Sequence, residues 1–294
     1  MKTIHVGKGY EFEKINDALR SVKEPTLIVL EDEEYYEKVI IDKNNIILDG
    51  KGKAKICYDD YAKKIHKDGS EYVTFRTYTC LVKGKHIILK NLTIENFSGE
   101  GHEVGQAVAL HLYNDDITCI NCRLLAKQDT LFCGPFSEDL VQRYIPILPR
   151  DEREYTGEFH QKFISCYIEG TIDFIFGGAS ATFINCDIVS LPTTHDSFVV
   201  APSHDKENNY GFNFISCHFI KGKGTKDRSV YLARPWREFG YARFVSCILD
   251  DHIKEEGFSI WEGTDRHKNC RFEEECSQGK GASNDKRVSW AHTK

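Results

Sequence analysis

Apolar residues recur along this chain in short runs broken by polar corners, and helical spacing is rare. Ile15, Ala18, Leu19 and Val22 fall at i, i+3, i+4 and i+7, which predicts one amphipathic helix over Lys14–Val22, stopped by Pro25. The remaining apolar stretches read as strands: Thr26–Leu30, Glu33–Ile41, and Ile46–Leu48 before an Asp49-Gly50 turn. Gly170-Thr-Ile-Asp173-Phe-Ile-Phe-Gly177 also reads as a buried strand, bounded by glycines and rich in β-branched and aromatic residues. Asp173 interrupts it. A carboxylate buried without partners is costly, so such a residue is paired, ligating or catalytic; the alternative is an aspartate pointing to solvent from an exposed strand face.

A small pattern then repeats. Phe163-Ile-Ser-Cys166, Phe183-Ile-Asn-Cys186, Phe214-Ile-Ser-Cys217 and Phe244-Val-Ser-Cys247 are four copies; Cys119-Ile-Asn-Cys122 is a fifth and Ile88-Leu-Lys-Asn91 a looser sixth. The steps between the last residues of successive copies are 31, 44, 20, 31 and 30. A period of this length in strand-like sequence predicts an all-β solenoid, a parallel β-helix in one domain over residues 1–294, with the Phe and Cys positions stacked inside. A sandwich with similar strands is the competing fold. The 44-residue step holds Gly134–Gln161, rich in proline and charge, and reads as an insertion loop on an otherwise regular coil. Asp129 and Asp173 each lie seven residues after their Cys marker. Equivalent places on adjacent coils put them one strand spacing apart, about 4.8 Å. Two carboxyls that close cannot both ionise cheaply, so one pKa rises and the pair can divide into nucleophile and proton donor.

Composition narrows the function. Charged residues make up 29% and apolar ones 40%, with a net charge of −6 and no long basic block, which disfavours nucleic-acid binding. No apolar run approaches a membrane span. The N-terminus has no apolar signal region, so a cytoplasmic place is expected unless a leader has been removed. Of eleven cysteines only Cys119 and Cys122 form a CxxC, so a zinc ribbon is excluded and the thiols read as small buried hydrophobes in a reducing compartment. There is no HExxH, phosphate loop or G-x-S-x-G elbow; no metal and no cofactor are expected.

Four ordered motifs carry a resemblance: Gln106-Ala-Val-Ala-Leu110, Gln128-Asp-Thr-Leu131, Gly170–Gly177 and Tyr231-Leu-Ala-Arg234-Pro-Trp236. Together with Glu33–Glu37 and the tail from Gly279 to Trp290, they resemble the pectin methylesterase (pectinesterase) family over nearly the whole chain. The resemblance implies a right-handed parallel β-helix and hydrolysis of galacturonosyl methyl esters in pectin or methylated oligogalacturonides, without metal. It implies that Asp173 is the nucleophile and Asp129 the acid and then base. Gln128, with Gln106 beside it, would hold the oxyanion, and Arg234 would keep Asp173 ionised. Trp236, Phe176 and Thr74 would contact substrate. Structural alternatives are a ladder role for Gln106, simple packing for Trp236 and a plain salt bridge for Arg234. Ala233 and Glu33 stand where the family usually has glycine, and Gly134–Gln161 falls between the two aspartates. A groove walled by that segment suggests short oligomers rather than polymer. Other readings are an acetyl esterase, a polysaccharide lyase of the same shape, and a non-catalytic carbohydrate-binding protein.

Overall fold

The computed structural model describes the chain except residues 24, 154–156 and 283–284, and the side chain of residue 151. Its strands form three parallel sheets of eleven, eight and seven strands. Each regular coil gives one strand to each sheet in turn, as in His160–Ile164, Tyr167–Gly170 and Ile172–Gly177, before Ser180–Ile184 re-enters the first sheet. This is a parallel β-helix, with the right-handed sense that parallel crossovers take. Among the described residues, no helix is long and apolar enough to cross a membrane.

The repeated tetrapeptide is the corner between the first two sheets. Phe163, Phe183, Phe214 and Phe244 pair in register, and successive rings stack with centroids 4.5, 4.5 and 5.0 Å apart. Ser165, Asn185, Ser216 and Ser246 take the left-handed conformation, with φ of 51–52°. Small polar residues, asparagine above all, tolerate that region better than bulky ones, which explains the Ser/Asn position in the pattern. The Cys that follows turns inward. Cys166, Cys186, Cys217 and Cys247 are buried free thiols, each bonding a carbonyl of the preceding coil at 3.4–3.5 Å.

The looser sixth copy is out of register by one residue. Leu89, not Ile88, pairs with Cys119, so Leu92 occupies the Cys position and Asn91 the left-handed corner, φ 54°. Glu33–Ile41 is likewise two strands in different sheets, Glu34–Tyr36 and Val39–Ile41, with a corner at Glu37-Lys38.

Both ends of the stack are covered. Helix α1 (Ile15–Ser21) buries Ile15, Ala18 and Leu19, and its first amides donate to the Glu37 carboxylate at 2.8 and 3.2 Å. At the other end the phenylalanine row stops at Glu274, which pairs with Phe244 in register. Glu274 is fully buried against Arg287, at 2.7 and 3.1 Å. Arg287 also donates to three carbonyls, so the buried ion pair is satisfied. One apolar core runs between these ends, from Ile4 to Phe272.

Two further helices interrupt the coils: α2 (Gly101–Val104) and α3 (Glu138–Tyr144). The stretch expected as a loop over Gly134–Gln161 is therefore partly helical, and it ends earlier, because His160 and Gln161 already belong to a strand. Leu140, Val141, Leu148 and Phe159 are buried, and Phe136 stacks on Phe132 at 4.9 Å.

Candidate active site

Asp173 reaches solvent from an apolar strand because the strand carries a bulge. Ile172 pairs with Phe198 and Ile175 with Val200, so Asp173 and Phe174 together oppose Val199. Asp173 has φ 49°. The extra residue breaks the alternation: Phe174 turns fully into the core, and Asp173 turns outward. Gly170 is required here, since a Cβ on it would lie 2.2 Å from the Phe174 Cβ. Asp129, φ 63°, holds the equivalent place one coil earlier: its amide donates to Ile172 O at 3.1 Å, and Leu131 pairs with Ile175 two residues on.

The two carboxyls thus stack as the seven-residue spacing indicates, and their surroundings differ. Both are nearly buried, with 8% and 9% of their surface exposed. Arg234 grips Asp173 bidentately, Nε to Oδ1 at 2.8 Å and Nη2 to Oδ2 at 2.5 Å. The guanidinium is itself held between Phe198 and Trp261, 3.8 and 4.4 Å from the ring centroids. Burial and the neighbouring Asp173 push the Asp129 carboxyl well above the usual range, with only partial relief from Arg234 and the Gln128 amide. Burial also raises Asp173, but Arg234 pulls it back by charge and hydrogen bonding. Asp173 therefore ionises first and Asp129 keeps its proton.

All eight residues singled out in the sequence line one cavity of about 260 Å³: Thr74, Gln106, Gln128, Asp129, Asp173, Phe176, Arg234 and Trp236. Gln106 and Gln128 sit on neighbouring turns, joined where Ala107 N donates to Gln128 O at 3.1 Å. Thr74 opens a 3-10 turn and follows Val73, which holds φ 49°, an outlying conformation for a β-branched residue. Trp236 meets Phe176 edge-on at 5.7 Å. Among the described residues, no group of three or more His, Cys, Asp or Glu side chains is placed to hold a metal ion.

A family model described as pectinesterase matches residues 4–138 and 150–294. The chain belongs to the pectinesterase family. It is 29% identical over 267 residues to pectinesterase QRT1 of Arabidopsis thaliana, covering 88% of this chain and 63% of that protein. It is 30% identical over 298 residues to the probable pectinesterase/pectinesterase inhibitor 21 of the same plant, covering 97% of this chain and 40% of that protein. The chain thus spans less than two thirds of the length of these relatives. Among solved structures, pectin methylesterase from carrot superposes with a TM-score of 0.82 at 24% identity, covering 100% of this chain and 88% of that one; at that identity the likeness speaks for the fold.

The family match leaves out 139–149, a narrower stretch than the insertion read from the sequence, and that stretch builds a wall of the pocket. Arg143 and Tyr144, at the end of α3, line the cavity with the two aspartates. Tyr144 packs edge-on against Phe75 at 5.0 Å, and Asp139 pairs with Arg237 at 2.7 Å. Arg143, Tyr144, Phe75, Ala201 and Trp261 also line this pectinesterase-family pocket and were not singled out in the sequence. Trp261 had a weak signal, being one of only three tryptophans. Arg234 and Trp261 also border a larger adjoining cavity of about 610 Å³ that includes Phe198 and Tyr231.

Proposed function

We propose that this pectinesterase-family chain is a single-domain carboxylic ester hydrolase that cleaves methyl esters of galacturonosyl residues, releasing methanol and a free carboxylate. The observation that carries the reading is the unequal pair: Asp173 in the grip of Arg234, with the buried, proton-retaining Asp129 on the next coil.

The chemistry follows from that inequality. The Asp173 carboxylate attacks the ester carbonyl, and the tetrahedral oxyanion takes N–H donors from Gln106 and Gln128, neutral groups suited to developing charge. Asp129 gives its proton to the departing methoxide, so methanol leaves and an acyl-Asp173 anhydride remains. Asp129, now a carboxylate, takes a proton from water as the water attacks the acyl carbon. Asp173 leaves as a carboxylate, the product acid forms, and Asp129 is again protonated. Trp236, Phe176 and Thr74, which line the same cavity, receive the sugar in this reading.

Cysteine use supports a reducing compartment, since nine of the eleven thiols are buried and all are free. The test of the activity is methanol release from methylated pectin and from short methylated galacturonides, alongside acetate release from acetylated sugars. Methanol release that disappears in Asp173→Asn supports the reading; acetate release alone overturns it.

A further inference from the structure

One cation in the pocket is unused by this chemistry. Arg143 lines the cavity together with Asp129, Asp173 and Arg234. Among the described residues it makes no ion pair or hydrogen bond, and its guanidinium lies over the Tyr144 ring, 5.3 Å from the centroid. The other guanidiniums nearby are committed: Arg234 to Asp173, and Arg237 to Asp139 and the Trp236 carbonyl. With Asp173 neutralised by Arg234 and Asp129 protonated, Arg143 is the surplus positive charge of the pocket.

The helix that carries it is anchored. Leu140 and Val141 anchor α3 in the core, Asp139 ties it to Arg237, and Tyr144 is wedged on Phe75. An exposed guanidinium carried on an anchored helix and left unpaired suits a planar carboxylate, which it can bind through two parallel N–H···O bonds. A methyl ester at the same point offers no charge. We propose that Arg143 is a specificity-determining residue that binds the free carboxylate of a sugar adjacent to the ester being cleaved. Arg143 lies within 139–149, outside the family match, so this preference belongs to the inserted segment rather than to the shared machinery. The proposal rests on the esterase reading above.

The test compares two trigalacturonides: one methylated on the central residue only, so that both neighbours are free acids, and one methylated on all three. Methanol release gives kcat/KM for each. The wild-type ratio should favour the free-acid neighbours by at least about tenfold, equivalent to about 1.4 kcal/mol. It should shrink as salt is raised. In Arg143→Gln the ratio should fall to within about twofold of unity, mainly through KM, with Arg143→Lys in between. A wild-type ratio near or below unity, or a ratio unchanged in Arg143→Gln, overturns the proposal while leaving the esterase intact. No methanol from either substrate overturns the esterase reading itself, and the proposal with it.

Discussion

Replacing Arg234 by lysine keeps a positive charge beside Asp173 and removes the geometry. The present contacts are two charge-assisted hydrogen bonds of 2.8 and 2.5 Å and two ring faces at 3.8 and 4.4 Å. The side chains are only 22% and 12% exposed, so solvent screens the pair weakly. Lysine can replace at most one of the two bonds, and its ammonium cannot fill the planar slot between Phe198 and Trp261. One charge-assisted bond is worth about 1.5–3 kcal/mol, and the lost stacking adds about 0.5–1 kcal/mol. The sum, about 2–4 kcal/mol, corresponds to a fall in kcat/KM of about 30- to 1,000-fold. Arg234→Gln separates charge from shape: without the guanidinium, Asp173 takes its proton at higher pH, so the acid limb of the kcat/KM profile moves upward, whereas Arg234→Lys moves it little. Methanol release measured across pH for the three proteins reads both quantities. A loss below about threefold in Arg234→Lys, or an unmoved acid limb in Arg234→Gln, would refute the orienting role.

Asp129→Asn and Asp173→Asn should each abolish turnover with the far-UV CD spectrum unchanged, and the double variant should be little slower than either single one, because the pair acts as a unit. Asp129→Asn should also raise the melting temperature at neutral pH. In the folded protein the Asp129 carboxyl titrates well above the usual carboxylate range, so the stability it contributes is complete below the unfolded value and is lost as pH rises through the folded one; the difference between variant and wild type should therefore vanish below the unfolded aspartate value, about pH 3.9. Phe214→Ala removes a ring from the middle of the stacked row and should cost about 3–5 kcal/mol in chemical denaturation; a cost under about 1 kcal/mol would mean the row is not continuous. Short methylated galacturonides should exceed polymeric pectin in kcat/KM per ester, since Phe136 packs on His111 and Phe132 and Tyr144 on Phe75, which itself packs on His111, Phe132 and Phe176; a clear preference for polymer would show that the inserted segment leaves the groove open.

The repeat was readable because one tetrapeptide encodes a complete corner: an inward phenylalanine, a residue able to hold φ near 52°, and an inward thiol. Counting seven residues from that corner was enough to superpose Asp129 on Asp173, since the intervening backbone is the same in both coils. The register is ambiguous where the corner lacks its markers. In the coil of Leu89, leucines replace both the phenylalanine and the cysteine, and two apolar alignments one residue apart look alike. Other features lay beyond a period-2 pattern. The bulge at Asp173 is set by pairing with Phe198–Val200, which no local alternation records. Trp261 comes from an irregular loop outside the ladder. Helix α3 did leave a trace in Ser137, Glu138 and Asp139 ahead of Leu140, Val141 and Tyr144, an acidic first turn followed by an apolar face. Prolines on either side of it, Pro135 and Pro146, mask that trace.

The division of labour between the aspartates is not written in the aspartates. A solenoid repeats by translation, so Asp129 and Asp173 receive the same residue type, similar left-handed backbones and nearly equal burial. What distinguishes them is lateral. Arg234 follows Val230–Ala233, two strands beyond Ile172–Gly177 on the side away from Asp129, and its fork closes on the nearer carboxyl. The nearer carboxyl is thereby favoured as an anion, and repulsion from that anion, added to burial, keeps the proton on the farther one. A single guanidinium on one side of a symmetric pair thus fixes both roles, which is why its shape and its charge are separately testable.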